Sequence, residues 1–321
     1  MDTAPEGSFK TIFGCWLAVC VASGSPVFGH PVHQGKVMII DEETPEMSLT
    51  HHLKRFSEGL GCRYEDLPMY VYCMQGFRFS RKVELDKLLK LVEVVNPVLI
   101  RLDSMLAMLP GGERSQSEND CHLGEIIRDD LNKMLSPNRS ILLAAHSKKY
   151  ISDLTLKEIS DLSMQSVVRG HGSIVGEGCD TGYIIEKISE YPKPTRFAII
   201  TRVRRRAIPS GSIKYIEMKE EHYGRGWARL ELIPSENLPP SVQAREIYPL
   251  FKVPDRSGNF NHSSSWILRE VALRTKNFCR VGVEELLDRK VIVRTGPQDY
   301  ELNDKSRSQC SLEYLKMLEN E

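Results

Sequence analysis

At 321 residues the chain is long enough for one sizeable α/β core and a smaller second unit. Its 43 basic and 43 acidic residues cancel to a net charge of zero, which excludes a global field drawing it to nucleic acid or an anionic membrane; any polyanion site has to be a local patch. The eight cysteines include no CxxC pair, which argues against a zinc site or a disulfide scaffold and for a reducing, cytoplasmic setting. In chain order, Ile12–Ala22 is an apolar run too short to span a bilayer and reads as a buried helix. Val37–Ile40 reads as a strand ending in acids, and Pro45–Gly61 as an amphipathic helix with Leu49, Leu53, Phe56 and Leu60 on one face. Strands at Met69–Tyr72 and Val98–Asp103 flank a helix over Leu85–Val95. A polar loop at Pro110–Asp120, a helix at Leu123–Leu135, a strand at Ile141–Ala145 and a loop from Ser147 to Gly170 follow. Strands at Tyr183–Glu186, Phe197–Arg202 and Ile213–Glu217 complete the core, the last two antiparallel. This alternation is the signature of βαβ units and a mostly parallel sheet.

Pro234, Pro239 and Pro240 frame a linker at 235–241 that closes the first domain at 234. Beyond it, Val242–Phe251, Ser263–Leu273 and Phe278–Arg289 read as short helices, and Val291–Arg294 with Tyr300–Asn303 as a hairpin. The spacing predicts a winged-helix unit over 242–304, with a tail at 305–321.

Four places carry candidate chemistry. The first is Ala4-Pro5-Glu6-Gly7-Ser8-Phe9-Lys10-Thr11, opening directly into the apolar helix. A phosphate loop needs curled backbone N–H groups, a lysine, a Ser/Thr hydroxyl for Mg²⁺ and a helix N-terminus, and Gly7, Ser8, Phe9, Lys10 and Thr11 stand in those places. Ala4 and Phe9 occupy positions where the pattern has glycine, so an ordinary helix start fits as well. The second is Asp41-Glu42-Glu43-Thr44-Pro45 at the carboxyl end of a strand, where Glu43 can activate water or the acids can cap the next helix. Asp103, ending a strand, suits magnesium held through water, although the interior Arg101 is unusual for a buried strand. His146, ending another strand, can sense a phosphate or simply complete a hydrogen-bonded end. Each closes a strand or opens a helix in one βαβ succession.

With these residues in place, the chain resembles the RepA-type replicative helicases, a RecA-like P-loop NTPase family that includes many AAA-labelled ATPases. The resemblance covers residues 4–220 and rests also on Val21–Gly29, Gly35-Lys36-Val37, Glu43-Thr44-Pro45 with His52-Leu53, Leu102-Asp103-Ser104, Glu118-Asn119-Asp120, His146-Ser147-Lys148 and Arg169-Gly170 with Ser173. It implies ATP and Mg²⁺ at Lys10, Thr11 and Asp103, Glu43 polarising the attacking water, and His146 as sensor. It also implies a homo-hexameric ring in which an arginine reaches a neighbour's γ-phosphate, Arg202 and Arg204 being placed for it unless they form a solvated basic edge. Because Met1 lies only a few residues before the loop, the central strand that normally feeds it is expected to be missing. DNA is the expected partner, through Lys148, Lys149, Arg169 and His171 in the ring and through the basic residues of the winged helix, among them Arg274, Lys276, Arg280 and Arg294. A catalytically impaired regulator acting through the winged helix is the alternative, and a RecA-type recombinase a third reading.

Overall fold

In a computed structural model of the chain, the described residues are 2–4, 9–79, 82–108, 130–148, 159, 162, 164–168, 179–188, 195–203, 212–221, 225–234, 244, 247–252, 262–263, 267, 276–289, 291–297, 299–302 and 318. They fall into two compact units, Met1–Leu232 and Ile233–Glu321.

The first unit is mixed α/β around a nine-stranded sheet. Its strands are β1 (Asp2–Ala4), β2 (Val37–Asp41), β3 (Met69–Cys73), β4 (Leu99–Asp103), β5 (Ser140–His146), β6 (Thr181–Lys187), β7 (Arg196–Val203), β8 (Ser212–Glu220) and β9 (Ala228–Ile233), in the order β3-β2-β4-β5-β1-β6-β7-β8-β9. Pairing is parallel from β3 through to β6 and antiparallel for β6–β7 and β7–β8.

Residues of a strand alternate between faces, and the near-continuous apolar runs of β2 and β4 follow from burial on both. Val37 and Ile39 join the core beneath the helices α1 (Lys10–Ser23) and α2 (Glu46–Gly59), whereas Met38 and Ile40 join the opposite core under α3 (Lys82–Val95). α1 is buried over most of its circumference, as its apolar sequence requires. α2 shows the expected amphipathic stripe, with Leu49, Leu53 and Phe56 inward. Its far end is fastened to the sheet: buried Arg55 pairs with Glu220 and donates from Nε to the Gly226 carbonyl at 2.8 Å. There Gly59 sits so close to β9 that a Cβ would lie 2.0 Å from the Ala228 carbonyl oxygen, so only glycine fits.

The central strand expected to be missing is present. Asp2–Ala4 pairs in parallel with both β5 and β6, Asp2 opposite Ala144 and Tyr183. Three residues without an apolar run give no strand signal of their own; the two neighbouring strands supply the pairing. Ala4 therefore ends this strand rather than sitting in the loop. β9 had not been expected either. The loop expected at 110–120 and most of the helix at 123–135 lie outside the described residues. Among the described residues, no helix is long and apolar enough to cross a membrane.

The second unit has a helix α4 (Lys276–Asp288) and a three-stranded antiparallel sheet of β10 (His262–Ser263), β11 (Ile292–Arg294) and β12 (Asp299–Leu302), ordered β10-β12-β11. Phe251, Ile267, Leu286, Ile292 and Tyr300 share its core. Ser263, expected to open a helix, instead pairs with Asp299, and a 3₁₀ turn at Tyr248–Lys252 stands at the end of the expected first helix.

Candidate functional site

Five candidate side chains meet at one rim of the parallel sheet. Lys10 and Thr11 form the first turn of α1; Glu43 lies in the turn after β2, while Asp103 and His146 end β4 and β5. Parallel strands present their carboxyl ends to the same side, which is why residues so distant in sequence converge.

Buried Lys10 donates from Nζ to His146 Nδ1 at 2.9 Å. An ammonium donating to Nδ1 leaves the ring proton on Nε2, and Nε2 lies 3.3 Å from Glu43 Oε1. The Thr11 hydroxyl donates to Asp103 Oδ2 at 3.1 Å. The hydrogen bond from His146, reinforced by Ser104 and the charge of Lys10 and opposed by burial, holds the Glu43 carboxyl down at about 2. Glu43 is thus an ionised carboxylate, partly open to solvent and aimed at the lysine end of the site.

Phe9, at a place where glycine is usual, points away from this cluster. Its ring stacks on Phe197 of β7, with centroids 5.4 Å apart and planes 6° from parallel. The phenylalanine adds an aromatic contact between the start of α1 and β7. Gly7 and Ser8 lie outside the described residues, as does Arg204. Arg202 is described for its backbone alone, opposite Gly182 near the end of β7. Because β7 runs antiparallel to β6, Arg202, five residues along from Phe197, lies about 17 Å from the Phe9 end of the strand, towards the amino ends of the parallel strands and away from the clustered side chains.

Sequence reasoning passed over a second layer. Arg101, fully buried on β4, pairs with Asp103 Oδ2 and lies 3.6 Å from Asp41 Oδ2. Asp41 Oδ1 accepts the backbone N–H groups of Glu43 and Thr44 at 3.0 and 2.7 Å. Burial and the neighbouring Asp103 push the Asp41 carboxyl up, against the pull of Arg101 and these N–H donors. The available signal was Arg101 itself, since a charge inside a buried strand requires partners. Nearby Cys15 is no nucleophile: burial drives its thiol up to about 12. An apolar cavity of about 290 Å³, lined by Trp16, Phe28, Leu60 and Leu230 among others, contains none of the clustered side chains.

Residues 1–150 match the family model described as AAA domain. No curated protein matches the chain. Among solved structures it is similar to an ATPase domain, with 12% identity and a TM-score of 0.49 over 73% of this chain and 84% of that one. It is also similar to the KaiC-like protein PH0186 from the hyperthermophilic archaeon Pyrococcus horikoshii OT3, with 14% identity and a TM-score of 0.43 over 73% of this chain and 88% of that one.

Proposed function

We propose that residues 1–150, which match the AAA domain family model, form a RecA-like P-loop ATPase core, and that the chain binds ATP with Mg²⁺ and hydrolyses it as a ring-forming DNA motor, a cytoplasmic helicase or replication ATPase of a mobile element. The observation that carries the reading is the meeting of Lys10, Thr11, Glu43, Asp103 and His146, from four segments of the chain, around the N-terminus of a 14-residue helix.

In this reading Lys10 takes the β- and γ-phosphates, and the N–H groups opening α1 add their dipole. The donor set suits magnesium, which is commonly held by one or two protein oxygens together with phosphate oxygens and water. Thr11 would contribute its hydroxyl directly and Asp103 its carboxylate through water. When bound, the ion supplies charge that offsets the phosphates. Glu43, ionised at any physiological pH, orients the attacking water and accepts its hydrogen bond.

His146 supplies the sensor. A phosphate arriving at Lys10 competes for the Nζ proton that His146 Nδ1 accepts. Any movement of the ring is transmitted to Ser147 and Lys148, the first bridged to Val168 and the second hydrogen-bonded to the Val167 carbonyl at 2.8 Å. Arg202 and Arg204 take the inter-subunit role in this reading, reaching a neighbour's γ-phosphate in a homo-hexamer. DNA contacts through Lys148 and the winged-helix reading of residues 242–304 complete the proposal.

The test is turnover of Mg-ATP by the full chain. Lys10→Ala should abolish it, while Glu43→Gln should keep ADP affinity within about threefold and lower turnover by more than about 100-fold. Turnover that survives Lys10→Ala refutes the assignment. Nucleotide binding by the wild type with no turnover, alone or with single-stranded DNA, would instead support the impaired-regulator alternative.

A further inference from the structure

Arg101 has no part in the roles given so far, yet its surroundings are built around it. Two residues before Asp103, it takes the α1 side of β4, while Ile100 and Leu102 join the core under α3. Gly14 of α1 lies directly on its guanidinium: a Cβ there would be 2.1 Å from Nε and 2.6 Å from Cζ. An apolar side chain of similar volume would fill this space without charge, so packing alone does not account for an arginine.

Its partners do. The Asp103 oxygen that accepts the Thr11 hydroxyl at 3.1 Å is the one paired with Arg101 Nη2. Nη1 faces Asp41 Oδ2 at 3.6 Å, and the other oxygen of Asp41 holds the N–H groups of Glu43 and Thr44. One planar cation therefore joins α1, β4 and β2.

We propose that Arg101 is a positioning residue that ties the metal-side pair Thr11–Asp103 to the turn carrying Glu43, fixing the separation of the two halves of the nucleotide site. This rests on the ATPase reading above. Productive geometry is sensitive to displacements of about 1 Å, so loosening this tie should slow the chemical step far more than it weakens phosphate binding at Lys10.

The experiment compares wild type with Arg101→Lys and Asp41→Asn in the full chain. Lysine keeps the charge without the two-armed fork, and asparagine weakens the tie from the other side at nearly constant volume. Three quantities are read: ADP affinity in EDTA, kcat and KM for Mg-ATP, and amide hydrogen exchange at residues 43 and 44. The expected result is ADP affinity and KM within about threefold of wild type, kcat lower by at least about tenfold, and faster exchange at both amides. Equal losses in ADP affinity and kcat, or unchanged exchange with full turnover, would overturn the proposal. If Arg101→Lys does not fold, Asp41→Asn decides by the same split. Wild type that fails to bind ADP overturns the ATPase reading itself; wild type that binds and turns over, beside variants showing no split, sinks the positioning role alone.

Discussion

Replacing Gly14 by alanine separates two opposite expectations. In an exposed helix interior the change stabilises by about 1 kcal/mol, because glycine gives up more backbone freedom on folding. At Gly14 the added methyl would lie 2.1, 2.6 and 2.8 Å from Nε, Cζ and Nη2 of Arg101, where ordinary contact needs at least 3.4 Å. A guanidinium at the tip of a long side chain usually swings aside at little cost, but this one is fully buried and fixed by Asp41 and Asp103. Uncoupling a buried ion pair costs about 3–5 kcal/mol, so Gly14→Ala should destabilise by about 2–4 kcal/mol after the helical gain of about 1 kcal/mol. In a thermal melt that is a fall of about 5–15 °C. The same change in an Arg101→Met background should cost at least about 1 kcal/mol less, which a double-mutant cycle by urea denaturation would read. A Gly14→Ala variant as stable as wild type, or more so, would refute the packing argument at its root.

Two further changes probe the rest of the unit. Glu186 on β6 has a buried carboxylate oxygen with no hydrogen-bond partner among the described residues, and burial raises its pKa from 4.5 to about 7. The folded state therefore holds a proton that the unfolded chain releases, and stability is lost as pH rises from about 4.5 to 7. Glu186→Gln should melt above wild type at pH 8, by about 1–3 kcal/mol, with the advantage fading towards pH 5; a pH-independent difference would count against it. Phe9→Ala removes the stack on Phe197 and should cost about 2 kcal/mol in urea denaturation while ADP affinity stays within about threefold; an unchanged midpoint would show that the stack contributes nothing.

Much of the site was legible because its residues end apolar runs. Val37–Ile40 and Leu99–Leu102 announce buried parallel strands, and a strand that ends in an acid delivers it to the carboxyl rim whatever the rest of the fold. The harder features depend on partners far away in sequence. Phe9 reads as a defect until Phe197 supplies its stacking surface, and Arg101 reads as an anomaly until Gly14 and Asp41 supply space and charge. β1 carries no periodicity at all and exists through its neighbours. β9 was detectable: Ala228-Arg229-Leu230-Glu231-Leu232 alternates with period two, and its buried residues are Ala228 and Leu230.

The anchoring of α2 bears on how such a site can work. Arg55 and Gly59 bolt the helix to the β8–β9 edge of the sheet, and Asp41 grips the peptide groups at its entrance. In the proposed ATPase, a helix held at both ends like a beam would keep the main chain at Glu43 in place, which leaves the imidazole of His146, between Lys10 and Glu43, as the part free to swing when phosphate arrives.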